Sequence, residues 1–180
     1  EWNIKKFSNN RFNEIKLNEN ALPKISRNNY SAVIKDFNNP KKIEDKNLII
    51  FENNISFELT DFKDQKFKKI YLISNKNENR EIKLSEKIIN FKTGLIEDQK
   101  NQLKEKSINC EIIDISEIKK IENCYYLYPC VGENLDYLNS QGMNSLEFLY
   151  RNLDRNFWKY CDKGFFNFKK YIPKIIKEFF

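Results

Sequence analysis

The chain has 180 residues, 40% hydrophobic and 14% aromatic. That is room for one cored domain, or a domain plus an arm, and too apolar a composition for a disordered chain. The net charge is +6 and there is no histidine, which excludes Ser-His-Asp and Cys-His nucleophiles and the HExxH metal motif. No apolar run approaches the roughly eighteen residues that span a bilayer, so no membrane partner is expected.

The positive charge has two readings. One is a basic surface for nucleic acid. The other is compositional drift: Lys, Ile and Asn are over-used, and lysine outnumbers the arginine that bidentate recognition favours. The cysteines are Cys110, Cys124, Cys130 and Cys161. None has C-x-x-C spacing, so structural thiols in a reducing cytoplasm are expected and no metal site. The opening Glu1-Trp-Asn-Ile-Lys-Lys-Phe7 lacks the apolar core of a secretory signal. The sole methionine is Met143, and a chain that opens in mid-pattern without an initiator reads as a fragment.

Residues 1–46 are polar and irregular, with Pro23, Pro40 and scattered apolar residues such as Ile15, Leu22 and Val33. They read as an arm or linker. Trp2, Phe7 and Phe12 suggest that its first part docks on something. From Leu48 the pattern changes. Leu48-Ile-Ile-Phe51 and Ile70-Tyr-Leu-Ile73 are short continuous apolar runs, the mark of strands buried on both faces. A helix follows, with Ser85 near its N-cap and Leu84, Ile88, Phe91, Leu95 and Leu103 as its apolar stripe, widened by Ile89 and Ile96. Cys110-Glu-Ile-Ile-Asp-Ile115 and Cys124-Tyr-Tyr-Leu-Tyr128 give two more strands, and Leu146-Glu-Phe-Leu-Tyr150 a possible fifth. Between the last two, residues 132–142 read as a short helix ended by Gly142. Residues 152–173, dense in aromatics, close the chain as two short helices separated by Gly164, with Pro173 near the start of the last. Strands alternating with helices imply βαβ units. The fold class is therefore α/β: a small three-layer domain with a mostly parallel sheet of four to five strands over residues 47–150. The aromatic helices pack at one edge and complete a domain of residues 47–180.

No GxGxxG and no P-loop is present, since Gly94 stands alone inside a helix. The best-placed candidate site is the turn after the fourth strand, with Cys130, Gly132, Glu133 and Asn134. Ligands of open α/β sheets bind beyond the carboxyl ends of the strands, and the following helix offers free N–H groups. Every strand-to-helix crossover also needs such a turn for geometry alone. The acidic pairs Glu133/Asp136 and Asp154/Asp162 suit general acid–base work, or equally a helix start or a solvated face. In the aromatic stretch, Arg155, Lys159, Lys163, Lys169 and Lys170 alternate with rings that suit base stacking and phosphate contact. Phe157, Tyr160 and Cys161 also have the spacing of a helix face that packs inward.

Asp154-x-x-x-Trp158, Gly164-Phe-Phe-x-Phe-Lys169 and Ile172-Pro173 resemble the end of proteins related to DNA photolyases and cryptochromes. Asn3-Ile-Lys-Lys-Phe-Ser-Asn-Asn-Arg-Phe12 is similar to the segment that closes the FAD domain of that group. Pro129-Cys-Val-Gly132 resembles a Pro-Val-Gly turn in its α/β part. The variant resembled has a helical FAD domain followed by a small α/β region, whereas ordinary photolyases place their α/β domain first. Positions 159–162, Lys-Tyr-Cys-Asp, also depart from the small and polar residues of the group. The resemblance implies an accessory C-terminal α/β domain of a flavoprotein that repairs DNA in light or responds to blue light. Its partners would be DNA and an FAD-binding domain upstream in the same chain. The FAD would be held there, with no catalytic or cofactor residue in this stretch. Two other readings rest on the residues alone: a small α/β ligand-binding or enzyme domain using the Gly132 turn, and a basic nucleic-acid-binding module.

Overall fold

A computed structural model describes residues 37–180 apart from Asn144, Asp162, Lys163 and Phe180. The chain divides into Glu1–Lys35 and Asp36–Phe180, and the second unit is the one described below. Trp2, Phe7, Phe12 and the segment 3–12 lie outside the described residues, as do Asp162 and Lys163.

Five strands form one all-parallel sheet: β1 (Asn47–Phe51), β2 (Ile70–Ser74), β3 (Cys110–Asp114), β4 (Cys124–Leu127) and β5 (Glu147–Leu149). Their spatial order is β3-β2-β1-β4-β5, so the expected small α/β fold is present. The central runs are continuously apolar because both of their faces are covered. On one side Leu48, Ile50, Ile70, Leu72, Tyr125 and Leu127 meet Phe57 and Phe62 of the β1–β2 connection and Ile96 and Leu103 of α1 (Glu86–Glu105). On the other, Ile49, Phe51, Ile73, Cys124 and Tyr126 meet Ile115 and Ile118 of a 3-10 turn (Ile115–Lys120) and Leu138 of α2 (Glu133–Ser140). The first two connections thus cross one face and the last two cross the other. The direction of winding reverses at β1, between β2 and β4.

Ser85 is the N-cap of α1, without a side-chain cap bond. The helix turns only part of its expected stripe inward. Ile88, Phe91 and Leu95 are exposed, Phe91 by 66%, while Ile96, Gln99 and Leu103 are buried. The inward row is Ile89, Lys92, Ile96, Gln99 and Leu103, of which the sequence reading named Ile89, Ile96 and Leu103 and missed Lys92 and Gln99. Two polar residues sit in that row because tertiary partners engage them, though the buried Gln99 Nε2 has none among the described residues. The Gln99 Oε1 accepts from the Phe57 N–H at 3.0 Å, and the Lys92 Nζ donates to Glu52 at 2.5 Å.

Among the described residues the aromatic end forms three short helices rather than two: α3 (Asn152–Trp158), α4 (Phe165–Phe168) and α5 (Ile172–Phe179). Gly164, at φ 77°, precedes α4. Pro173 sits in the first turn of α5, where its missing N–H costs no helical bond. The stretch is anchored at the β5 edge by rings. Trp158 lies 5.3 Å from Phe37 and 5.7 Å from Tyr128, and Phe37 lies 4.8 Å from Tyr150. Farther along, Tyr160 stacks on Tyr171 at 4.2 Å and Phe157 meets Phe168 at 5.6 Å, while Phe165 and Phe166 are exposed. No helix among the described residues is long and apolar enough to cross a membrane.

Candidate functional site

The carboxyl ends of the strands carry a cluster of charge. Glu52 directly follows β1, Asn75 follows β2, and Glu133 opens α2 after β4. Arg80, from the β2–α1 connection, joins them. Its side chain has no exposed surface, and every guanidinium nitrogen is engaged. Nη1 donates to Glu133 and Nη2 to Glu52 at 2.5 Å; Nε and Nη2 also donate to the Asn75 carbonyl at 3.1 and 2.7 Å. Glu52 also accepts from Lys92, whose ammonium lies 3.8 Å from Glu133. Burial works against the charge on Arg80, but the Glu133 and Glu52 carboxylates outweigh it and hold the pKa above the ordinary arginine value.

The connection that carries Arg80 is itself pinned. The Asn77 side chain exchanges two 2.9 Å bonds with the backbone of Leu84, Lys83 donates to the carbonyls of Asn77 and Arg80, and Asn79 donates to Asp114. Together with α2 this connection walls a cleft of about 380 Å³ lined by Asn75, Asn79, Arg80, Glu133, Asp136 and Tyr137, among others. That volume is within the usual range for small-molecule sites. Because β1 sits between β2 and β4, the cleft stands over the point where the winding reverses, where open α/β sheets bind ligands.

The turn chosen from the sequence forms one shoulder of this region. Gly132 has φ 130° and ψ −168°, a conformation open essentially to glycine only. Cys130 adopts φ 62°, so two residues of one short turn lie in the left-handed half of φ. Asn53 and Asn54, after β1, hold the turn by donating to the carbonyls of Pro129 and Tyr128 at 2.7 and 2.6 Å. Asn134 is buried and donates to the Asn53 Oδ1 at 3.1 Å. Glu133 alone of the sequence-chosen turn residues reaches the charged cluster. Cys130 instead lines a separate hollow of about 170 Å³ with Phe37, Tyr128, Val131 and Trp158. Burial first, then the Asp154 carboxylate, raises its thiol pKa.

The other candidates are scattered. Asp154 pairs with Arg151 at 2.7 Å. Arg155 is half-buried and tied to Asn152 and Asn38, whereas Lys159, Lys169 and Lys170 are exposed on the aromatic end. Sequence reasoning missed Glu52, Asn75, Arg80 and Lys92. Glu52 and Asn75 were findable, since each is the first polar residue beyond a buried apolar strand or its terminal serine. Nothing local marks Arg80 or Lys92. Among the described residues, no group of three Cys, Asp or Glu side chains gathers as metal ligands.

No protein-family model matches this chain, and no curated protein or solved structure matches it either. Nothing in these comparisons identifies a relation to photolyases or cryptochromes.

Proposed function

We propose that the unit Asp36–Phe180 is a small-molecule-binding α/β module whose ligand sits over the carboxyl ends of β1, β2 and β4. The observation that carries this reading is the buried Glu52–Arg80 pair, tied to the half-exposed Glu133 and to Lys92, beneath an open cleft. Buried ion pairs are rarely better for stability than apolar packing of the same volume. Their position at the winding reversal is where such a set orients a ligand-binding wall. The experiment is a fragment screen on the ¹⁵N-labelled protein. Hits should shift amides of residues 75–82 and 133–140, and Gly132→Val should abolish those hits while the protein stays folded. Space does not oppose that valine, since a Cβ at Gly132 meets nothing within 4 Å. Its effect comes from the φ of 130°, which moves the turn. Hits that all map to the exposed face of α1 or to the aromatic end would sink the reading.

A second reading is favoured by the way Trp158, from the photolyase-like Asp154-x-x-x-Trp158 pattern, anchors the aromatic end on Phe37 and Tyr128. In it the unit is the accessory C-terminal domain of an FAD protein active in DNA photorepair or blue-light response, and the FAD lies upstream. The chain extended upstream and purified in the dark would then show an oxidised-flavin absorption band. A colourless, folded protein that takes up no added FAD would overturn it.

A further inference from the structure

We propose that the cleft between residues 75–82 and α2 takes a polyhydroxyl ring, a free sugar or the ribose of a nucleoside, held by Asn75, Glu133 and Asp136. This rests on reading the cleft as the ligand site. The unmet hydrogen-bonding capacity of its walls includes acceptors on three residues. Asn75 lines the cleft and is only 4% exposed, and its Oδ1 is buried with no partner among the described residues. An amide oxygen in that position costs roughly 1–3 kcal/mol unless something donates to it. Glu133 spends Oε1 on Arg80 and Lys92, which leaves Oε2 as an acceptor on a carboxylate already held in place. Asp136, exposed on the next turn, has no side-chain partner among the described residues.

The spacing is suited to a ring. Glu133, Asp136, Tyr137 and Ser140 all line the cleft and fall at i, i+3, i+4 and i+7 of α2, one face of the helix. Carboxylates along that face match successive hydroxyls of one sugar, each a charge-assisted bond. The half-buried ring of Tyr137 supplies an apolar surface beside them for the C–H face of the sugar.

Charge excludes the two ionic alternatives. An anion would meet Glu81, Glu133 and Asp136, and the cations Arg80 and Lys92 are already paired with carboxylates. A compact cation at Glu133 would lie against the Arg80 guanidinium and the Lys92 ammonium. Neutral hydroxyl donors meet neither repulsion.

The test is titration of the ¹⁵N-labelled protein with methyl glucoside, ribose, adenosine and 2′,3′-dideoxyadenosine, with spermidine and inorganic phosphate as ionic probes. Saturable shifts at residues 75–82 and 133–140 with the hydroxyl-bearing compounds are expected. Asp136→Ala should weaken them about tenfold, the loss of one hydrogen bond to a charged group, with an unchanged melting temperature. Binding of adenosine but not its dideoxy form assigns the ribose of a nucleoside; binding of methyl glucoside assigns a free sugar. Equal binding of adenosine and dideoxyadenosine overturns the proposal. Cleft shifts with spermidine or phosphate and none with sugars overturn the polyhydroxyl class but leave the cleft as a ligand site. No cleft shift with any probe, nor in the fragment screen, overturns both.

Discussion

Arg80 is the residue on which the carboxyl end of the sheet depends. Its guanidinium is planar and forked, so it can serve Glu52, Glu133 and the Asn75 carbonyl at once, which a lysine could not. Arg80→Met removes the positive partner of a carboxylate, Glu52, that is itself only 3% exposed. The expected loss is about 3–5 kcal/mol, the cost of breaking one side of a buried pair, read as a fall in the urea midpoint. A change under 1 kcal/mol would mean that Lys92 alone neutralises Glu52. A second residue-scale effect concerns alkaline pH. Burial raises Cys124 from 9.0 to about 11, and burial with the neighbouring Cys124 raises Tyr126 from 10.0 to about 12. The folded chain therefore keeps protons that the unfolded chain releases. The stability this provides is complete below about pH 9 and is lost as pH rises toward 11–12. Urea midpoints taken from pH 8 to 11 should decline, and Cys124→Ala should decline less steeply. Equal slopes for the two proteins would refute the assignment.

At the scale of elements, α1 separates apolarity from burial. Its outward residues Ile88, Phe91 and Leu95 satisfy helical periodicity as well as the inward row does, and are more apolar than Lys92 and Gln99, which face the sheet. The difference lies in what the sheet offers. Glu52 stands over β1 awaiting a cation, and the Phe57 N–H awaits an acceptor. Periodicity contains neither fact. The pair Ile96→Ala and Phe91→Ala decides the orientation. Ile96→Ala should cost about 2–4 kcal/mol, as buried truncations do, and Phe91→Ala should stay within about 0.5 kcal/mol. Chemical denaturation of both would read it, and the reverse order would put the face of Ile88, Phe91 and Leu95 inside. The turn after β4 behaved differently. Gly132 could be chosen from its position alone, because a strand ending at Leu127, followed by Pro129, and a helix starting at Glu133 leave few ways to turn. That reasoning found Glu133 but not the Arg80 that holds it.

For the whole unit, the aromatic end is held by the cluster around Trp158 at the β5 edge. Trp158→Ala should loosen α3 to α5 while the sheet stays folded. Hydrogen exchange protection there should fall by about 2–3 kcal/mol, as expected for losing a part-buried ring and its aromatic contacts. Protection in β1 and β2 should not change. Equal loss in both regions would show that the sheet and the aromatic end fold as one cooperative body. The sequence by itself determined that the chain folds, that its central strands are buried on both faces, and that helices alternate with them. Those properties follow from local runs and periods. It also determined that the aromatic stretch must pack. Only the tertiary structure decided the strand order, which face of α1 turns inward, and that Glu52, Asn75, Arg80 and Glu133 meet. These residues lie as far as eighty-one positions apart (52 to 133). They come together because the sheet reverses its winding at β1, a consequence of how whole elements pack rather than of any residue's neighbours in the chain.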